Sequence, residues 1–400
     1  MLVNRSKKMS NDAVVIVAAK RTPMGGFMGA LSGASATELG ATAIKSVMSE
    51  TGLSDASIDE VIMGCVLPAG LGQAPARQAM LYGGLARSTG ATTINKVCGS
   101  GLKAAMLAHD LIKAGSISSA IAGGMESMTN SPYFIPKARG GMRMGHGEIK
   151  DHMMSDGLED AYDNKAMGCF AQATADLHGI TRELMDEFAL GSLSKANAAI
   201  ENGSFEAEIA AHTLQTRKGD VEVNIDEQPG NARPDKIPSL RPAFKKDGTI
   251  TAANSSSISD GAAALILMSE AEAQRHGLTP LCKIAAHATH SQAPEEFTLA
   301  PVGAMNTLLD RTGWSKEDVD LWEINEAFAM VTMLAINEMG LDSSKVNVNG
   351  GACALGHPIG ASGARILVTL IHALRNRGLS KGIASLCIGG GEAVALAVEV

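Results

Sequence analysis

Short apolar runs alternate along this chain with longer segments whose apolar residues recur at helical spacing. The first run, residues 14–18, has strand character, and Ser35-Ala-Thr-Glu38 matches a capping box that opens a helix to about residue 50, stopped by Gly52. The pattern then predicts a strand over 60–66, a helix over 76–85, and a strand over 92–97 that runs straight into Cys98-Gly-Ser-Gly101. A helix over 102–114 and a strand over 120–122 follow, the latter ending in Gly-Gly-Met-Glu126. Beyond residue 127 the texture changes. Loops rich in Gly and Met lead to helical runs over 171–177 and 182–202, then to a polar stretch with Pro229, Gly230, Pro234 and Pro238. This reads as an insertion carrying loops. The alternation resumes with a strand over 260–268, a helix through Arg275, a strand over 281–288, a strand from near 320 to Asn325 and a helix over 329–338. Strands alternating with helices predict an α/β architecture.

The two ends of this pattern match each other. Cys98-Gly-Ser-Gly-Leu-Lys103 can be laid on Gly360-Ala-Ser-Gly-Ala-Arg365, and each is followed by an apolar helical run and a short strand ending in glycines. The second such strand, 384–386, leads into Cys387-Ile-Gly-Gly-Gly391. A duplicated α/β unit is the economical explanation, and a site between the halves would draw residues from both.

Composition narrows the field. A chain of 400 residues that is 45% hydrophobic can build two or three domains, and a net charge of −8 offers no bulk attraction to nucleic acid or an anionic membrane. An anionic ligand would need a local basic patch. No apolar run reaches the ~18–20 residues that span a bilayer, and the basic stretch 1–10 lacks the apolar centre of a signal peptide, so a cytoplasmic protein is expected. Aromatics are only 3% and glycines number 44, so the core must be close-packed from small and aliphatic side chains. Six cysteines are scattered without a C-x-x-C pair and are read as reduced thiols, neither a disulfide framework nor a zinc site.

Three stretches carry chemistry. In Gly350–Arg365, five glycines in sixteen residues surround His357, which Pro358 restrains; the reading is a strand–turn–helix junction whose glycines let backbone come close to a ligand or another strand. Cys98 stands at a strand end before a helix, where oriented N–H groups favour a thiolate and an adjacent oxyanion. A thiol of ordinary pKa needs a base or a positive neighbour, which His357 can supply if the halves meet. Cys387, before a triple glycine, is a candidate second acid/base. Asn325 in Asn-Glu-Ala-Phe328 is either a helix N-cap or an amide aimed at a water or carbonyl. A rival reading takes Gly99-Ser-Gly101-Leu-Lys-Ala104, with Glu126 ending the next strand, as a dinucleotide fingerprint, which makes the chain a dehydrogenase. That reading leaves Gly350–Arg365 and Cys387–Gly391 unexplained.

Val97-Cys-Gly-Ser-Gly, Asn325-Glu-Ala-Phe, Gly356-His-Pro-Ile-Gly-Ala-Ser-Gly and Cys387-Ile-Gly-Gly-Gly together resemble the thiolase family, in its order and spacing, over essentially the whole chain. Within it the sequence is most similar to the acetyl-CoA acetyltransferases. The resemblance implies the thiolase fold: an α/β protein of two duplicated halves in five layers with an inserted loop domain. The halves would be 10–128 plus about 255–278, and 279–400, with a CoA-binding loop domain at 129–254. It implies Cys98 as acyl-carrying nucleophile, His357 as its base and Cys387 as the group that handles the α-proton. Two oxyanion sites would be built, one from His357 and a water on Asn325, the other from the N–H groups of Cys98 and Gly389. The activity implied is condensation of two acetyl-CoA to acetoacetyl-CoA and CoA, or its reverse, by a homotetramer and without a metal or redox cofactor. The alternative is a 3-ketoacyl-CoA thiolase for longer chains.

Ser256, in Asn254-Ser-Ser-Ser-Ile-Ser-Asp-Gly-Ala262, matches the family's pantetheine serine, with Ser257 in place of a glycine. Met167, Phe244, Phe297 and Phe328 are expected at the acyl and CoA pocket. The family's short-chain enzymes usually carry His-Met-Gly, where this chain has Ala166-Met-Gly168, and their arginine after an Asp-Glu pair has no counterpart directly after Asp226-Glu227. A non-catalytic relative would have lost one of Cys98, His357 or Cys387, and all three are present.

Overall fold

The computed structural model describes residues 12–400; the basic stretch 1–10, read above as too polar for a signal peptide, lies outside them. One hydrogen-bonded sheet organises the chain. From one edge it runs Gly90–Ile94, Glu60–Gly64, Ser119–Ser127, Ser259–Ser269 and Val14–Arg21, then Cys282–Ser291, Glu392–Glu399, Lys381–Ile388 and Leu321–Ile324. In the first half the strands from the edge through Ser119–Ser127 pair in parallel and those inward of it antiparallel. The second half mirrors this, with Leu321–Ile324 parallel to Lys381–Ile388 and the inner pairs antiparallel. Its fifth strand position is reduced to a parallel bridge between Trp322 and Val346. The halves join where Val15 and Ile16 pair with Lys283 and Cys282. The duplication predicted from Cys98–Lys103 and Gly360–Arg365 is therefore present in strand order as well as in sequence.

The period of two along each strand sorts side chains into layers. Ala263, Leu265 and Leu267 face a central layer, whereas Ala262, Ala264, Ile266 and Met268 face the helices Ala36–Thr51 and Pro75–Tyr82. In the second half Val394, Leu396 and Val398 face the same central layer, and Ala393, Ala395 and Ala397 face the helices Ala300–Thr312 and Ala329–Met339. The result is helices, sheet, helices, sheet, helices. The middle layer consists of Ser100–Lys113 and Ser362–Arg377, and in the latter every residue from Ser362 to Leu374 is buried.

These two central helices cross at glycine. A Cβ on Gly101 would lie 2.6 Å from the backbone nitrogen of Ala364, and one on Gly363 would strike the nitrogen of Leu102. The five glycines of 350–365 behave alike: a side chain at Gly350 would lie 2.6 Å from the Ser192 carbonyl and one at Gly360 2.6 Å from Glu126 Oε2. One at Gly351 would meet the Glu326 carboxylate and one at Gly356 the Ser259 hydroxyl. Close approach was the right reason for these glycines, but what approaches is the protein itself. The stretch is also not a strand–turn–helix junction, because a short helix, Ala352–Leu355, precedes the turn.

Residues 128–258 add no strand to the main sheet. They form the hairpins Tyr133–Phe134 with Lys150–Asp151 and His212–Thr216 with Gly219–Val223, and the helices Met167–Leu177 and Arg182–Glu201. Buried ion pairs tie this region down. Arg21 donates to Asp226 at 2.7 and 2.8 Å and to Glu208 at 2.5 Å, with all three side chains fully buried. Because a lone buried charge is costly, the covering region cannot lift without breaking this cluster.

Gly363→Ala is expected to destabilise the fold by about 1–3 kcal/mol through overpacking at the helix crossing. A lowered urea midpoint at constant slope would bear this out; an unchanged midpoint would mean that the helices can separate at little cost.

Candidate active site

The central helices bring the two candidate reacting groups together at their N-terminal ends. The strand before Cys98 stops at Ile94, shorter than expected, because Val97 takes the left-handed conformation with φ 46°. A β-branched residue there is strained by about 1–3 kcal/mol. Hydrogen bonds hold it: Val97 N–H donates to Asn95 Oδ1 at 2.9 Å, Ser100 Oγ donates to the Val97 carbonyl at 2.6 Å, and Lys96 N–H donates to Ser100 Oγ at 2.8 Å. The turn sets Cys98 at the mouth of the helix Ser100–Lys113. Its sulfur lies within reach of the Gly389 N–H and its own, both favouring the thiolate, yet burial outweighs them and pushes the thiol up to about 11.

His357 is oriented by its own loop. Its backbone N–H donates to the Ser257 carbonyl and Ser259 Oγ, each at 3.2 Å. On the ring, Nδ1 meets Ser362 Oγ, and that hydroxyl donates its only hydrogen to the Pro358 carbonyl at 2.8 Å. The hydroxyl must then accept from Nδ1–H, which leaves the lone pair on Nε2. Nε2 is buried with no protein partner. Burial, and after it the charge of Arg365, hold the imidazole down to about 3. The resting pair at neutral pH is therefore a neutral thiol and a neutral imidazole, with His357 placed to act as a base.

Cys387 lies inside the strand Lys381–Ile388, one residue from its end, and is buried. Burial raises its thiol well above the ordinary range, and charge on Cys98 raises it further. Past the strand, Gly390 and Gly391 turn at φ 94° and 86°, and Gly389 has no atom closer to a built Cβ than Met167 at 3.6 Å. Of the glycines in the motifs it is one that does face open space. Asn325 follows Leu321–Ile324, anchored by its N–H to the Ser385 carbonyl at 3.0 Å. It is not a helix cap, because Phe328 occupies that position for Ala329–Met339. Both of its amide atoms are buried without a protein partner.

A cavity of about 560 Å³ opens onto Cys98, His357, Cys387 and Gly389. Met167, Phe244, Ser256, Phe297 and Phe328 also line it, while Asn325 is not among its lining residues. Phe328 meets Phe244 and Phe297 edge-on at 6.2 and 6.4 Å, making one apolar wall. Ser256 Oγ donates to the Ala327 carbonyl at 2.9 Å, which leaves its lone pairs toward the cavity as acceptors.

Two residues that hold the site, Ser362 and Glu126, were given no role in it from the sequence. Ser362, which sets the histidine tautomer, was visible as the partner of Ser100 in the repeat. Glu126 accepts from Val66 N–H at 2.9 Å, Leu67 N–H at 3.1 Å and Gly360 N–H at 2.9 Å, so it bolts the His357 loop to the first half. It is fully buried, and the dinucleotide reading, which needs Glu126 at a ribose, fails on that account. Gly101 is likewise taken up by the helix crossing. Asp226 and Glu227 are also committed inside the protein, the first to Arg21 and the second to the N–H groups of Gly26 and Ala30, both at 2.8 Å.

Two family models match this chain, "Thiolase, N-terminal domain" over residues 14–271 and "Thiolase, C-terminal domain" over residues 278–400. The protein belongs to the thiolase family. It is 50% identical over 385 residues to an acetyl-CoA acetyltransferase of Pseudomonas aeruginosa, covering 96% of this chain and 98% of that one. An acetyl-CoA acetyltransferase of Escherichia coli is 50% identical over 387 residues, with 96% and 98% covered. Among solved structures, the Bacillus anthracis acetyl-CoA acetyltransferase superposes with a TM-score of 0.95 at 41% identity, covering 98% of this chain and 100% of that one. The Acat5 thiolase of Ascaris suum, in complex with coenzyme A, gives 0.92 at 41% identity, covering 97% and 99%.

Two outcomes are expected from this geometry. Ser362→Ala frees the His357 ring and should lower turnover on the order of a hundredfold with the fold intact; full turnover with normal unfolding would remove Ser362 from the site. Since the Cys98 thiol titrates near 11, alkylation by iodoacetamide should keep accelerating as pH rises past 9. A rate that levels off near neutral pH would instead indicate a resting thiolate.

Proposed function

We propose that this protein joins two acetyl-CoA into acetoacetyl-CoA and CoA, and runs the reverse thiolysis, through an acetyl group carried on Cys98. The observation that carries this reading is the convergence of Cys98 and its neutral base His357 from one pair of helices with Cys387 and Gly389 from the second half, all on one cavity. Cys98 Sγ attacks the thioester carbonyl while its proton passes to His357 Nε2, and the departing CoA sulfur takes that proton back. The oxyanion formed lies beside the N–H groups of Cys98 and Gly389, whose directions are set before the reaction begins. In the second step the Cys387 thiol passes its proton to His357 Nε2, the thiolate removes the α-proton of another acetyl-CoA, and the resulting carbanion attacks the acetyl carbon on Cys98, whose sulfur leaves and takes the proton from His357 Nε2. His357 Nε2–H and a water held by Asn325 stabilise the enolate oxygen, a role supported by the two unpartnered amide atoms of Asn325. In the thiolysis direction the raised thiol of Cys387 suits it to protonate the leaving enolate. The thioester acidifies its own α-carbon and supplies its own leaving group, so these steps call on no metal or redox cofactor.

In this reading residues 129–254 form the CoA-binding cover over the two halves, with Ser256 accepting from the pantetheine arm and Met167 and Phe244 walling it. A homotetramer is supported by the apolar surface of the covering hairpin, where Tyr133, Met144 and Ile149 are exposed. We place the enzyme in the cytoplasm, which its six unbonded cysteines favour; among the described residues no helix is long and apolar enough to cross a membrane.

A second reading, a thiolase for longer 3-ketoacyl chains, is favoured by Ala166 at the place of the short-chain enzymes' histidine. The aromatic wall of Phe297 and Phe328 favours the short chain. In competition, acetoacetyl-CoA should be consumed ahead of 3-ketohexadecanoyl-CoA; the opposite preference would replace the first reading by the second. Exposure to acetyl-CoA followed by peptide mapping should find acetyl on Cys98 and none in Cys98→Ser, while Cys387→Ala should accumulate the acetyl form without condensing it. An unlabelled Cys98 in active enzyme would overturn the mechanism.

A further inference from the structure

Away from the cavity, His109, Asp110 and His287 form a cluster of metal-ligating side chains. His109 and Asp110 sit near the C-terminal end of the helix Ser100–Lys113, and His287 lies on the strand Cys282–Ser291 of the other half. Asp110 Oδ1 stands 3.0 Å from His109 Nδ1 and 2.8 Å from His287 Nε2, and all three ligand atoms lie within 4.8 Å of one another. The two rings meet edge-on with centroids 5.0 Å apart, so their nitrogens converge without stacking. Each imidazole side chain is only 14% exposed, whereas the carboxylate is 55% exposed and opens the cluster to solvent.

We propose that this cluster is a binding site for a divalent transition-metal ion of the zinc class. Two imidazoles and one carboxylate are ligands that zinc, cobalt and nickel favour and that magnesium and calcium do not. An ion about 2.0–2.1 Å from each of three tetrahedral ligands needs those ligands about 3.4 Å apart. The two spacings to Asp110, 3.0 and 2.8 Å, lie a few tenths of an ångström below that value, so the carboxylate must swing slightly outward to admit the ion. Each ring then turns its lone pair inward and moves its proton to the outer nitrogen, and a water completes the coordination. Lys113 and Arg311 stand nearby, but Lys113 Nζ donates to the Asp12 carbonyl and Arg311 to the His287 carbonyl, so both point their charge at backbone. None of the three ligands lines the active-site cavity. The ion would instead staple the far end of the helix Ser100–Lys113 to the second half, and would stabilise the folded state by mass action.

The test uses full-length protein stripped with chelator and alkylated at its cysteines, so that thiols do not compete for the metal. Titration with Co²⁺ near neutral pH, followed by calorimetry and visible absorption, should show a single equivalent bound, and the ion should raise Tm; Mg²⁺ should do neither. His109→Gln and His287→Gln should each weaken Co²⁺ binding at least about tenfold and abolish the rise in Tm. Asp110→Asn, at the exposed carboxylate, provides a ligand change with little risk to the fold, and acyl-transfer activity of the unalkylated variants confirms their folding. Absence of stoichiometric Co²⁺ binding, or binding unchanged in all three variants, overturns the proposal.

Discussion

The contact between the two central helices is the constraint on which this structure depends. Ser100–Lys113 and Ser362–Arg377 lie between the two halves of the sheet, and at their crossing Gly101 and Gly363 each admit the other helix's backbone. This closeness decides where both N-terminal ends fall, and those ends carry Cys98 on one side and the loop of His357 on the other. Larger side chains at the crossing would separate the reacting groups as well as weaken the core. The same glycines thus serve packing first and chemistry through it.

Around that crossing, polar groups are used to hold geometry. Ser100 braces a strained Val97, Ser362 settles the His357 tautomer, and Glu126 binds three backbone N–H groups from both halves. Each is buried and each is satisfied by backbone, so none can relax without exposing an unpaired partner. By contrast His357 Nε2 and the Asn325 amide have no protein partner at all. The site is rigid in its supports and unsatisfied at the atoms that would meet a substrate, which is the pattern expected where binding energy is to be spent in a transition state.

The raised thiols and lowered imidazole share one main cause, burial. Burial disfavours every charged form; at Cys98 two backbone N–H groups only partly compensate, while the charge of Arg365 at His357 and of Cys98 at Cys387 adds to it. A neutral resting pair protects Cys98 from adventitious oxidants and alkylators, because the thiolate is the reactive form. Charge is developed only as a thioester arrives and its oxygen meets the waiting donors.

Much of this was legible in the sequence, for definite physical reasons. The apolar periods gave the strands and helices, because period 2 and period 3.6 are imposed by backbone geometry. The repeat of Cys98–Lys103 in Gly360–Arg365 pointed to two halves sharing a site. Motif chemistry singled out Cys98, His357 and Cys387, and the family resemblance added Gly389; all four line the cavity. What the sequence by itself did not decide was what each glycine is close to, since a missing side chain says that something approaches without saying what. Nor could it show that Val97 would turn left-handed, that Glu126 would bind Gly360 across the halves, or that Asn325 would stand unpartnered. The contact of Glu126 with Gly360 joins residues 234 positions apart, and the surroundings of Asn325 are set by packing, so only the tertiary structure decides them; Val97 is held by near neighbours, but by side-chain hydrogen bonds that a hydrophobic pattern does not register.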